Sequence, residues 1–299
     1  MRGIYSLLLI CFLVTTISAQ QWPDDSFKPE IENPAYPEGK GPVVLLDEAH
    51  NNFHTTSGRY RPFVKLLNRD GYVVKGSKGK IDKNLLTECT IFAISVPMSD
   101  DNASAYSGDE IRILYDWVEG GGSLLLITDH FPDPPAIAQL AGAFGIELNN
   151  GYVLNEDPNE SRGPIFFRRN DGTLTEHPIT LGRSGLNEEI RSVTSFTGCA
   201  FKAGNDFQPL MIFGPMKVSW MTKEQDKFPP DTPKLDVRGW YQGGIMEPEK
   251  GRLAFFGEAG MFTAQFISRN RIPFGMNVPE AKENAQFLLN VMHWLSRIL

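Results

Sequence analysis

The stretch Val43-Val44-Leu45-Leu46-Asp47-Glu48-Ala49-His50-Asn51-Asn52-Phe53-His54 decides the fold. Its four leading aliphatic residues show no polar alternation, so they read as a strand covered on both faces, the condition of a parallel sheet. The run breaks abruptly at two carboxylates, followed by imidazoles and amides. In open α/β sheets the space just past the carboxyl ends of the strands is where ligands bind. The stretch is therefore read as a first strand and one wall of a site.

The same grammar recurs downstream. A helix is expected around Tyr60 to Asn68, with Phe63, Leu66 and Leu67 on one stripe, then a strand at Tyr72-Val73-Val74. Thr90 to Val96 is a third strand. Ser107-Gly108-Asp109-Glu110 is a capping box opening a helix that stops at Gly120-Gly121-Gly122. Ser123 to Thr128 is a fourth strand, followed at once by Asp129-His130, and Pro134 to Phe144 is a helix. Gly251 to Phe256 returns as a buried strand ending near Glu258, and Pro279 to Leu295 is a closing helix. Strand and helix alternating at these intervals imply an α/β fold with a mostly parallel sheet. Between them, residues 145–243 are rich in Gly, Pro, Asn and Asp. They are read as a β-rich elaboration with strands at Pro164 to Phe167, Ser192 to Phe196, Pro209 to Phe213 and Val218 to Met221.

The chain of 299 residues carries 41% hydrophobic and 22% charged residues, ordinary for a globular domain. A net charge of −7 without a basic cluster argues against a nucleic-acid partner. Residues 1–19 read as a signal peptide: Arg2, an apolar core from Ile4 to Val14, and small residues before a cut at Gln20. An uncleaved anchor is the competing reading, and the core is short for a bilayer span. Cys11 lies inside that core behind bulky Ile10, which argues against lipid attachment. Cleavage would take away Arg2 alone among charged groups, turning −7 into −8. The expected localisation is secreted or periplasmic, with no membrane span after cleavage. Residues 20–41, rich in Pro and charge, read as an extended linker, and 42–299 as a single domain. Cys89 and Cys199 are read as two free, buried thiols rather than a disulfide.

Acids and imidazoles gather at strand ends: Asp47, Glu48 and His50 after the first strand, Asp129 and His130 after the fourth, Glu258 after the last. In a parallel sheet these ends share one edge, where such groups could serve as general acid and base. The bland alternative is that they cap helices and fill turns. Asn51, His54, Phe131 and His177 are candidate substrate contacts, and Phe131 and other aromatics could stack on a sugar ring. No cofactor is demanded. A divalent metal could be held only by a discontinuous set such as His50, Asp129 and His130, since the spacing of a helical zinc site is absent. No G-x-S-x-G elbow occurs, and the turn after the fourth strand offers neither Ser nor Cys.

Four segments together carry a resemblance: Leu45 to His50, Val118 to Thr128, His177-Pro178-Ile179-Thr180, and Gly251 to Glu258 with Glu283 to Asn290. They resemble the class I glutamine amidotransferase-like superfamily, in the branch near ThuA-like (trehalose-utilisation) proteins and related exported domains. The resemblance implies a flavodoxin-like three-layer sandwich. It does not extend to glutaminase activity, which needs a Cys where this chain has Asp129-His130. By analogy it points to a small polar or carbohydrate-derived ligand. Two functions follow as expectations: an exported hydrolase-like enzyme using the acid and histidine cluster, or a non-catalytic ligand-binding or accessory domain using the same crevice.

Overall fold

The computed structural model describes residues 21–100, 102–156 and 163–299. The expected signal peptide, Cys11 and the sequon Asn159-Glu160-Ser161 lie outside the described residues.

Five strands, in spatial order Val73–Ser77, Val43–Asp47, Ile91–Ser95, Ser123–Ile127 and Arg252–Phe256, pair in parallel. They are the segments whose apolar runs stood out in the sequence. From Val43–Asp47 the chain steps first to one side and then to the other. The order therefore reverses between Val43–Asp47 and Ile91–Ser95, the kind of switch point at which ligands settle in open sheets.

Alternation along the strands builds two cores. Val44, Leu46, Leu125, Ile127 and Phe256 join helices Arg61–Arg69 and Asn284–Leu295 in one cluster. Leu45, Phe92, Leu124, Leu126 and Phe255 join helices Gly108–Glu119 and Pro134–Ala143 in the other. The Ser107–Glu110 capping box forms as expected. Where Gly108–Glu119 ends, a Cβ on Gly251 would lie 1.8 Å from the Val118 carbonyl oxygen. Only glycine allows the last parallel strand to start against that helix.

Residues 145–243 do not sit apart from the sheet. Tyr241–Met246, Phe201–Ala203 and Ile146–Leu148 extend it antiparallel beyond Arg252–Phe256, and Gln208–Ile212 also pairs with Tyr241–Met246. Two small sheets complete the region: Tyr152–Asn155 with Lys217–Trp220 and Lys234–Asp236, and Ile165–Arg168 with Ser192–Ser195.

The segment expected as a linker is extended but docked. Gln21–Pro23 pairs with Ala264–Ile267, which pairs in turn with Ile272–Gly275. Beyond it, Phe27, Ile31 and Tyr36 pack on the core, and Tyr36 meets Tyr72 edge-on at 5.3 Å. The Pro-rich, charged composition hid these few apolar anchors. Among the described residues no helix is long and apolar enough to cross a membrane.

Candidate functional site

Past the carboxyl ends of the parallel strands lies a cleft of about 580 Å³. Phe53 and His54 reach it from the first strand, Val96 and Met98 from the third, Asp129, His130 and Asp133 from the fourth, and Glu258 from the last. The small sheet of Gln21–Pro23 and its partners closes one side with Gln21, Gln265 and Phe274.

His130 is set up as a proton acceptor. Its Nδ1 lies 2.7 Å from the Phe131 carbonyl oxygen and donates to it, which leaves Nε2 as the lone-pair nitrogen. That nitrogen is 3.8 Å from Asp129 Oδ1, and the ring stacks on Tyr152 at 4.0 Å. Phe131 contributes this backbone oxygen and does not line the cleft. Asp129 also accepts from the amides of His130 at 2.8 Å and Ala259 at 3.3 Å.

Glu258 is 1% exposed and accepts from the amides of Gly260 and Met261, each at 2.8 Å. Burial, with Asp129 beside it, drives its carboxyl well above the ordinary range, and the amide donors only partly offset this. It fixes the turn that carries residues 259–261. Asp133 was passed over in the sequence because an Asp before Pro-Pro reads as a helix cap. It stands at the N-cap of Pro134–Ala143 yet makes no side-chain cap bond. It faces the cleft instead, and burial, with the Asp129 charge, pushes its carboxyl up to about 7.

His54 is 3% exposed, with Nδ1 3.0 Å from Ser95 Oγ and its ring stacked on Tyr60 at 4.1 Å. Burial, helped by the nearby Arg59 guanidinium, lowers its pKa to about 3, so it stays neutral.

The other candidates go elsewhere. Asp47 is fully buried and accepts from His50 Nδ1 at 2.8 Å and the Tyr106 hydroxyl at 2.7 Å. His50 Nε2 lies 3.3 Å from Glu110 Oε1. Burial alone would lower the His50 pKa, but carboxylates on both nitrogens outweigh it and raise the pKa. This network ties the first strand's end to the capping box of Gly108–Glu119 and stands outside the cleft lining. Glu48 accepts from the Thr56 amide and hydroxyl, both at 2.7 Å, and stabilises that turn. Asn51 is exposed, in the left-handed region at φ 52°, and does not line the cleft.

His177 caps the short helix Pro178–Leu181 by accepting from the Ile179 amide. The charges that act on it are Glu247 and Arg252, and Arg252 opens the last parallel strand. It therefore belongs to the opposite edge of the sheet from Glu258. His293, on the closing helix, donates Nε2–H to Asp70 at 2.7 Å, with both side chains fully buried.

Of the expected metal set, Asp129 and His130 face the cleft and His50 does not. His50 is committed to its own network, and among the described residues no three His, Cys, Asp or Glu side chains gather as a metal requires. Cys89 and Cys199 are free thiols; Cys199 is buried, whereas Cys89, expected to be buried, is only half-buried. Burial pushes both pKa values up, which argues against either as a nucleophile.

No family model matches the chain, and no curated protein matches it in sequence. Solved structures do. The mmIFT52 N-terminal domain aligns with TM-score 0.59 at 15% identity, covering 85% of this chain and 97% of that one. Cytoplasmic Protein STM1381 from Salmonella typhimurium LT2 aligns with TM-score 0.50 at 13% identity, covering 85% and 98%. A putative ThuA-like protein from Bacteroides uniformis is also among the neighbours, with TM-score 0.48 at 12% identity, covering 90% and 94%. At these identities the likeness is one of fold.

Proposed function

We propose that the protein is an exported hydrolase-like enzyme acting on a small polar or carbohydrate-derived substrate in this cleft. In this reading its build is a flavodoxin-like three-layer sandwich, with residues 145–243 as a β-rich elaboration. The observation that carries the chemistry is the pairing of His130, whose Nε2 is left as an acceptor, with Asp133, whose carboxyl titrates near neutrality. An imidazole nitrogen with a free lone pair and a carboxyl that keeps its proton can serve as general base and general acid in one cleft. His130 Nε2 takes the proton of an attacking water, and Asp133 delivers its proton to the leaving oxygen as that bond breaks. Asp129 holds the turn that carries His130, and Glu258 fixes the neighbouring turn at residues 259–261.

The test is turnover of a panel of glycosides and simple esters by the wild type, His130→Gln and Asp133→Asn, each with and without chelator. Loss of about 100-fold or more in kcat with binding retained supports the assignment. Variants that turn substrates over like the wild type overturn it, and loss on chelation alone would assign the chemistry to a divalent metal. The second reading is a non-catalytic binding domain. It is favoured by the buried state of Cys199 and by the engagement of Thr197 Oγ1 with the Val153 carbonyl, which leave the cleft without a free nucleophile there. Ligand binding without turnover in the wild type would select it.

A further inference from the structure

The cleft is lined by carboxyls and by no Lys or Arg among the described residues. Asp129, Asp133 and Glu258 come from the strand ends, and Asp226 comes from the loop after Lys217–Trp220. Arg59 stacks on the Phe53 ring at 3.7 Å and is not part of the lining.

A second, independent feature points to a ligand. Gln265 is 2% exposed, lines the same cleft, and its Oε1 has no hydrogen-bond partner. A buried acceptor left without a donor costs about 1–3 kcal/mol, so its place in a binding wall is explained by a donor that arrives with the ligand. The charged groups of this wall are carboxyls, and its unpartnered buried atom is an acceptor, so both features call for a ligand that brings positive charge and a donor.

We propose that the cleft binds an organic cation, a small hydroxylated molecule bearing an ammonium group, with the ammonium held by Asp129 and Asp226 and a donor on Gln265 Oε1. The inference rests on the reading of this cleft as the binding site. A cleft of about 580 Å³ is far larger than a bare ion needs. The rings of Phe53 and Phe274 in the lining offer faces to the ligand's carbon skeleton. An anionic ligand meets the Asp129 and Asp226 carboxylates there and, among the described residues, no Lys or Arg in the lining. Burial is the main cause that lifts the Asp133 and Glu258 carboxyls, and the Asp129 charge adds to it; a bound cation offsets that second part.

Three probes matched in length separate charge from shape: glucamine, glucitol and gluconate, titrated into the full chain by calorimetry at low and high salt. Glucamine is expected to bind at least tenfold tighter than glucitol, with gluconate weakest and the difference shrinking as salt rises. Asp226→Asn, on an exposed loop, should weaken glucamine several-fold and spare glucitol. Gln265→Ala should weaken both, with the melting transition of each variant checked against wild type. Equal affinity for glucamine and glucitol, both weakened by Gln265→Ala, overturns the cationic ligand and leaves the cleft reading intact. Tight glucamine binding untouched by either variant overturns the cleft itself, and absence of binding by all three probes overturns the proposal.

Discussion

His54 and Asp133 face one cleft and respond to pH in opposite senses. His54 has a folded pKa of about 3 against an ordinary 6.5. Between those values the unfolded chain holds the extra proton, so this group makes stability rise with pH. Asp133 runs from an ordinary 3.8 to about 7, and there the folded protein holds the proton, so stability falls as pH rises. Across their shared interval the two slopes oppose each other. Urea denaturation from about pH 4 to pH 8 should show this. His54→Gln is expected to weaken the rise of stability with pH below about pH 6. Asp133→Asn is expected to stabilise the protein at about pH 8, by about 1 kcal/mol after allowing for solvent screening. At this scale the sequence was legible only in part. Asp129, His130, His54 and Glu258 were visible because acids and imidazoles follow apolar runs. Asp133 and Gln265 were not: one sits where an Asp normally caps a helix, the other in a short strand with no apolar periodicity.

The element that links the two ends of the first core strand's neighbourhood is the capping box. Glu110 accepts from the Ser107 amide at 3.0 Å and its hydroxyl at 2.7 Å, while its other oxygen faces His50. Ser107→Ala should cost about 1 kcal/mol in denaturation. Glu110→Gln keeps a residue that can cap at N3 but removes the charge from His50. An NMR titration should then find the His50 pKa lower than in the wild type, with little change in stability. The capping box and the long apolar strands were readable because each is a local pattern. Tyr241–Met246 escaped notice because Gly243 and Gly244 interrupt it. A Cβ on Gly243 would lie 2.4 Å from the Phe256 ring, and one on Gly244 would lie 2.5 Å from Phe207. The packing of neighbouring rings selects glycine there and erases the strand signal.

Across the whole molecule, Asp70 and His293 stand 223 residues apart in sequence and meet at 2.7 Å in the first core cluster's floor. Asp70 also accepts from the Ala35 amide at 2.8 Å, so one carboxylate joins the docked N-terminal segment, the first helix and the last. Asp70→Ala or His293→Ala alone should cost about 3–5 kcal/mol, because each leaves a buried polar group unpaired. The double variant should cost less than the sum in denaturant melts. No sequence pattern announces such a long-range pair. The same holds for the division of labour after the first strand, where Asp47 and His50 turn to a closed network while His54, a few residues on, enters the cleft. Which segments form the parallel strands and where their ends lie could be read from the chain; which side chains share a cavity depends on loop paths that no period encodes.

The strand Gln21–Pro23 brings the beginning of the described chain to the cleft wall, whereas the Leu299 carbonyl oxygen lies 3.0 Å from Arg252 Nη1, where the last parallel strand begins. A fusion partner or affinity tag joined just ahead of Gln21 would be attached at the cleft wall. One joined after Leu299 would sit at the far rim, away from that wall.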